Sequence, residues 1–266
     1  MIERISIAGS GNVAIHLAPA LFAAGVKIVN IYSRNPEHAS SLASVTGAIP
    51  VNDIRMLNND AQLLLIALPD KVIPEFASEL KRNGNFNGMV AHTSGSQPLS
   101  VLSNLFAEAG VFYPLQSFSR FSQPVIKEVP FCIEAHNNGL ALKLSQLASL
   151  ISGDVRLLDS QQRAIVHLAA VFACNFSNHM YALSADILEK EGIKTDILLP
   201  LIRETANRLG GVHPGMLQTG PAVRGDYQTM DFHLELLEKF PELKPVYLQI
   251  SDSIARWVSR SESGNK

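Results

Sequence analysis

Ile5-Ser6-Ile7-Ala8 runs straight into Gly9-Ser10-Gly11-Asn12-Val13-Ala14, and apolar-periodic sequence then continues to Gly25. This reads as a buried strand, a tight glycine turn and a helix start. Glycine clears side chains from the turn, so backbone N–H groups can meet an anion at the positive end of the helix dipole. Gly9 permits the turn, Gly11 allows close approach, and Ala14 lets the helix pack against the strand. The spacing therefore predicts a dinucleotide pyrophosphate held by Gly9, Ser10, Gly11, Asn12 and Val13.

Alternation of strand and helix continues through the first half. Strands are expected at Ile2–Ala8, Lys27–Tyr32, Ala48–Val51, Gln62–Leu68, Met89–His92, Val111–Tyr113, Phe131–Ala135 and Val155–Leu158. Helices are expected at Asn12–Ala24, Pro36–Thr46, Val72–Arg82, Pro98–Ala109 and Gly139–Ile151. Such alternation specifies a doubly wound parallel α/β sheet. From Ser160 the pattern is helical only: Ser160–Glu191 without a breaker, then Thr195–Leu209, Thr229–Lys239 and Pro241–Ser261. A boundary follows, with an α/β domain over 1–158 and an all-helical domain over 159–266. The polar tail Ser259–Lys266 is expected to fray.

The tip of the second strand bears on cofactor choice. An NAD site commonly places Asp or Glu there to bind the ribose hydroxyls, whereas this chain has Ser33-Arg34-Asn35. Ser33 can donate a hydrogen bond and Arg34 can pair with a 2′-phosphate, so NADP(H) is expected. Ligands sit at the carboxyl ends of parallel strands. The loop Ala67–Asp70 therefore offers Leu68 and Pro69 as walls, and the loop His92–Ser96 offers Thr93 and Ser94 as donors. Tyr113–Phe118 follows another strand and faces the same side.

His167, Asn175, Asn178 and His179 fall within roughly 120° of arc on an ideal helix. Buried polar side chains need partners, and a stripe facing a cleft would find them in substrate or water. An unperturbed histidine has its pKa near neutrality, so His167 is the expected acid/base. Asn175 would orient the substrate, and Ser94 would bond its oxygen or nitrogen. A second polar island spans His213–Asp226, where Arg224 either binds a carboxylate or pairs with Asp226.

The chain has 266 residues, 47% of them apolar, and a net charge of -2. There is no basic excess for nucleic acid or an anionic membrane. No apolar run approaches the ~20 residues of a membrane span, and no signal peptide is read at the start. Cys132 and Cys174 lack metal-ligand spacing and are expected as reduced core residues in a cytoplasmic protein. No metal site is expected.

Gly9–Ala14, Ser33-Arg34 and Ala67–Asp70 resemble the superfamily of pyrroline-5-carboxylate reductase, 6-phosphogluconate dehydrogenase and coenzyme-F420-dependent NADP oxidoreductases. His167–Asn175, His213–Leu217 and Gly220–Asp226 resemble a bacterial family within it, which joins a Rossmann-like domain to a helical domain of unknown function. The resemblance implies a carboxyl-terminal domain of the 6-phosphogluconate dehydrogenase type. Two departures stand out. The hydroxyacid dehydrogenase branch carries a catalytic Lys on the first interdomain helix, but here Lys190 is the first in the stretch and lies at its end. Pyrroline-5-carboxylate reductases enter this helix on a Ser-Gly-Ser-Gly-Pro-Ala-type segment, where this chain has Val166-His167-Leu168-Ala169-Ala170.

The expected function is hydride transfer between NADP(H) and a small carbonyl or imine, with the substrate in an interdomain cleft. The alternative is a non-catalytic NADP(H)-binding redox sensor. The first segment of the helical half is apolar around most of its circumference. A homodimer through that domain is therefore expected.

Overall fold

The computed structural model describes residues 1–57 and 59–264. Its eight strands are β1 (Arg4–Ala8), β2 (Lys27–Tyr32), β3 (Ile49–Val51), β4 (Leu63–Ile66), β5 (Met89–His92), β6 (Ala109–Pro114), β7 (Phe131–Ala135) and β8 (Val155–Leu157). They form one sheet in the order β3-β2-β1-β4-β5-β6-β7-β8. Neighbours are parallel except β6 and β7, which pair antiparallel, so the doubly wound parallel sheet expected from sequence is present with one antiparallel junction, one strand in from the β8 edge. A β6–β7 connection with no crossover helix permits the reversal.

Helices α1 (Asn12–Ala23), α2 (Pro36–Thr46), α3 (Ile73–Asn83), α4 (Ser100–Ser103) and α5 (Asn138–Ser149) are interleaved with the strands. Two clusters of buried side chains follow. One joins Leu17 and Leu21 of α1 and Leu140 and Leu144 of α5 to Ile5, Ile7, Phe112 and Phe131. The other joins Phe76 and Leu80 of α3 to Leu64, Ile66 and Val90. Strands with neighbours on both sides and apolar matter on both faces read as continuous hydrophobic runs, as Leu63–Ile66 does.

The helix expected over Pro98–Ala109 is much shorter, and β6 begins at Ala109. Ser100, Ser103 and Asn104 favour local turns over helix propagation. Leu102 and Phe106 still reach the core, but through successive turns.

Among the described residues, all strands precede Asp159. Beyond it come α6 (Ser160–Ala170), α7 (Ser177–Lys190), α8 (Leu199–Asn207), α9 (Pro221–Arg224), α10 (Tyr227–Leu236) and α11 (Lys244–Gly264). Asp159 caps α6 through a reciprocal box with Gln162. The stretch expected as one unbroken helix is interrupted by a π-helical turn, Val171–Phe176. By packing, the chain divides into two compact units, Met1–Asn175 and Phe176–Lys266. In the second, Leu183 and Ile187 of α7 meet Leu237, Phe240 and Leu243 of the turns between α10 and α11, and Tyr247 of α11. Helix α11 carries through most of the tail expected to fray; Asn265 and Lys266 lie outside the described residues.

Candidate cofactor and substrate sites

The register of three strands aligns the first site. Ala8 pairs with Tyr32 on one side and Ile66 on the other, so Gly9, Ser33 and Ala67 emerge level at one end of the sheet. The crevice lies where chain order reverses, between β1 and β4, the usual ligand position in such sheets. Gly9 has φ of 128°, and a Cβ there would lie 2.1 Å from the Ala67 carbonyl oxygen. Only glycine allows the loops to close this tightly. A Cβ at Gly11 would meet nothing within 4 Å, which leaves open space before α1. No side chain caps the N-terminus of α1, so its first amides are free for an anion.

A cavity of about 310 Å³ opens there, and Gly9, Ser10, Gly11, Ser33, Arg34, Leu68 and Pro69 of the expected residues line it. Ser10 Oγ donates to Ser33 Oγ at 3.0 Å, and Ser33 Oγ accepts the Asn35 N–H at 3.2 Å, joining the two strand tips. Asn35 caps α2 by accepting the Glu37 N–H at 2.9 Å. Arg34 is exposed and without an ion pair among the described residues. Asn12, Val13 and Thr93 do not line the cavity: Val13 packs on the core, and the Thr93 hydroxyl donates to the Ile66 carbonyl at 3.4 Å. Two residues missed from sequence, Glu75 and Glu79 of α3, line the same cavity as Arg34. Their i, i+4 spacing directly after the Ala67–Asp70 loop was the available signal. Tyr32, mostly buried here, has its pKa raised by burial and then by the Glu79 charge.

The second site lies farther along the same unit. A cavity of about 280 Å³ is lined by Tyr113, Leu115, Gln116 and Ser117 after β6, by His167 and Ala170 of α6, and by Val171, Ala173, Cys174 and Asn175 of the π-helical turn. His167 and Asn175 are therefore brought together. Asn178 and His179 are exposed on α7 and line no part of it. In a π-helix each residue turns through less than the 100° of an α-helix, so a stripe projected from ideal geometry loses phase across 171–176. The same turn leaves Cys174 exposed, correcting its expected core position; Cys132 is buried.

Tyr113 Oη lies 3.2 Å from His167 Nδ1. Gly95 abuts both rings: a Cβ there would sit 2.7 Å from His167 Nδ1 and 2.7 Å from Tyr113 Cζ. Burial pushes Tyr113 up to about 12, so it is an un-ionised hydroxyl at neutral pH. Ser94 is almost fully buried, outside this cavity, and its Oγ accepts the N–H groups of Ser96 and Gln97 at 3.2 and 3.0 Å. It caps the turn that presents Gly95.

One turn before His167, Arg163 is only 1% exposed. It is ion-paired to Glu134 of β7, and its Nη2 donates to the Gln97 carbonyl at 2.5 Å. Ser160 Oγ donates to Glu134 at 2.9 Å and accepts the Leu99 N–H at 3.0 Å. The group fixes α6 to β7 and to the loop carrying Ser94 and Gly95. An arginine inside an amphipathic helix reads as surface from sequence, so this anchor was missed. His92, fully buried, is pushed down to about 4 by burial and then by the Arg163 charge.

The second polar island is largely structural within its own unit. Asp226 caps α10 by accepting from the Thr229 N–H at 3.1 Å and hydroxyl at 2.8 Å, which lowers its pKa. Arg224 approaches it only to 3.9 Å. His213 accepts the Gly215 N–H at 3.1 Å and stacks on Trp257, ring centroids 5.9 Å apart and planes within 2°. Among the described residues no cluster of His, Cys, Asp and Glu could hold a metal ion, and no helix is long and apolar enough to cross a membrane.

A glycine turn at the switch point of a mostly parallel sheet, followed by a helical domain, defines a Rossmann-type dinucleotide-binding protein. Residues 4–90 match the profile described as NADP oxidoreductase coenzyme F420-dependent, and residues 129–254 match a domain of unknown function (DUF2520). A provisionally assigned NADP oxidoreductase from Bacteroides fragilis is 39% identical, with TM-score 0.90, over 96% of this chain and 98% of its own. The chain belongs to this family of NADP oxidoreductases with a DUF2520 carboxyl-terminal domain. A protein from Thermotoga maritima shares the fold at 24% identity and TM-score 0.70, over 97% of this chain and 99% of its own. A reductive aminase from Aspergillus terreus shares it at 13% identity and TM-score 0.70, over 98% and 95%. No curated protein matched the chain.

Proposed function

We propose that the protein is an NADP(H)-dependent oxidoreductase acting on a small carbonyl or imine substrate. The contact between Tyr113 and His167 at a cavity wall carries the reading, because it holds a titratable ring where an acid/base is needed. The glycine turn, the Ser10–Ser33 bridge and Arg34 suit a dinucleotide, with Arg34 toward a 2′-phosphate. A bound nicotinamide supplies or accepts hydride. The chain's part is alignment and proton management. His167 exchanges a proton with the substrate oxygen or nitrogen, Asn175 orients the substrate by hydrogen bonding, and Ser94 shapes the loop packed against His167. The family relationship supports this reading. The protein acts as a homodimer in the cytoplasm in this proposal.

Calorimetry with NADPH and NADH, followed by a screen of keto acids, aldehydes and cyclic imines for NADPH oxidation, tests it. Tighter binding of NADPH that is lost in Arg34→Ala is expected. His167→Ala should lower turnover ~10²–10⁴-fold with NADPH affinity unchanged. No heat with either coenzyme would end the redox reading, and binding without turnover would leave the sensor.

A further inference from the structure

The role of His167 turns on which ring nitrogen carries the proton, and its surroundings decide that. A neutral imidazole has one donor and one acceptor nitrogen. Tyr113 is buried, only 8% exposed, and its hydroxyl hydrogen needs an acceptor. His167 Nδ1, at 3.2 Å, is the acceptor the described residues provide. Were Nδ1 to carry the proton and donate to Tyr113, that hydroxyl hydrogen would have no acceptor recorded among the described residues, a costly arrangement for a side chain this buried.

We infer that Tyr113 is a positioning residue that holds neutral His167 as the Nε2–H tautomer, so that the cavity is offered a hydrogen-bond donor. In the imidazolium, Nδ1 instead donates to the Tyr113 oxygen, which accepts as readily as it donates. Nε2–H thus faces the cavity in both charge states before transfer; when the imidazolium gives that proton to the substrate, the ring is left as Nδ1–H on the Tyr113 oxygen, and reprotonation of Nε2 from solvent resets it. A site of that kind donates to a lone pair, as on a carbonyl oxygen or an imine nitrogen. The inference rests on His167 being the acid/base of the proposed reaction. Gly95 is the spacer that permits it, since any Cβ would press between the rings. The Arg163 anchor one turn earlier sets the helix that delivers His167.

Nitrogen NMR of full-length protein labelled with ¹⁵N-histidine tests the assignment, with the His167 signal identified by its loss in His167→Gln. At a pH where the ring is neutral, wild-type Nδ1 should be the unprotonated nitrogen. Tyr113→Phe should raise the Nδ1–H fraction about fivefold, the effect of losing one net hydrogen bond. Gly95→Ala keeps both side chains but separates them, and should raise it similarly. A protonated Nδ1 in the neutral wild-type ring overturns the inference without any variant, and so does an unchanged ratio in Tyr113→Phe. The readout needs neither coenzyme nor turnover. A failure of NADPH oxidation would therefore count against the redox proposal separately.

Discussion

His92 shows how a single residue couples this fold to pH. Its side chain is sealed inside the sheet unit, with its Nδ1 accepting the Ser94 N–H at 3.2 Å. The ring is held neutral down to about 4, whereas a free histidine titrates near 6.5. Between those values the unfolded chain binds a proton that the native chain does not, so stability falls as pH falls through that window and is pH-independent above it. The full effect is on the order of 3 kcal/mol. Urea unfolding at steps from pH 7 to 4.5 should show this slope in the wild type and its loss in His92→Gln. Composition could not have revealed it. His92 ends an apolar run and was read as part of a cofactor-facing loop, and the burial that shifts it comes from neighbours distant in sequence.

At the scale of elements, the sequence made the left part of the sheet plain. The boundaries of β2, α2 and β5 match their expected spans, because Asn35 and Pro36 open α2 and Gly47 closes it in a left-handed conformation. The Pro98–Ala109 and Ser160–Glu191 segments were harder, since helical spacing of apolar residues does not reveal a succession of turns or a π-helical insertion. Of the ten residues expected to hold a coenzyme, seven line the first cavity; Glu75 and Glu79 of the same lining went unread, although their i, i+4 spacing follows the Ala67–Asp70 loop. The attachment of α6 depends on Arg163. Arg163→Met would strand Glu134 beside the sheet, and breaking such a pair costs about 3–5 kcal/mol. Chemical denaturation should register that loss. The double variant Arg163→Met with Glu134→Gln should recover part of it, since no buried carboxylate is then left without its cation.

At the scale of the whole molecule, the two units differ in how far they bury their own apolar side chains. The sheet unit has a dense interior, whereas among the described residues after Asn175 the only buried apolar ones are Leu237, Phe240 and Leu243. Ile197, Leu201 and Phe232 are 66%, 61% and 57% exposed. In the homodimer proposed above, a second copy of the chain would cover these side chains. Sedimentation at low micromolar concentration should give twice the 28.9 kDa chain mass. Leu201→Glu or Phe232→Glu should weaken association by about tenfold or more, given the value of burying one large apolar side chain. A monomer in the wild type would refute this. Trp257, meanwhile, is the chain's single tryptophan, and it lies in the helical unit, parallel to the His213 ring and tight against Gly215. Intrinsic emission excited at the indole band therefore comes from one half of the protein alone. It is a built-in optical gauge for following the melting of the helices independently of the sheet, with the imidazole beside it as a natural quencher.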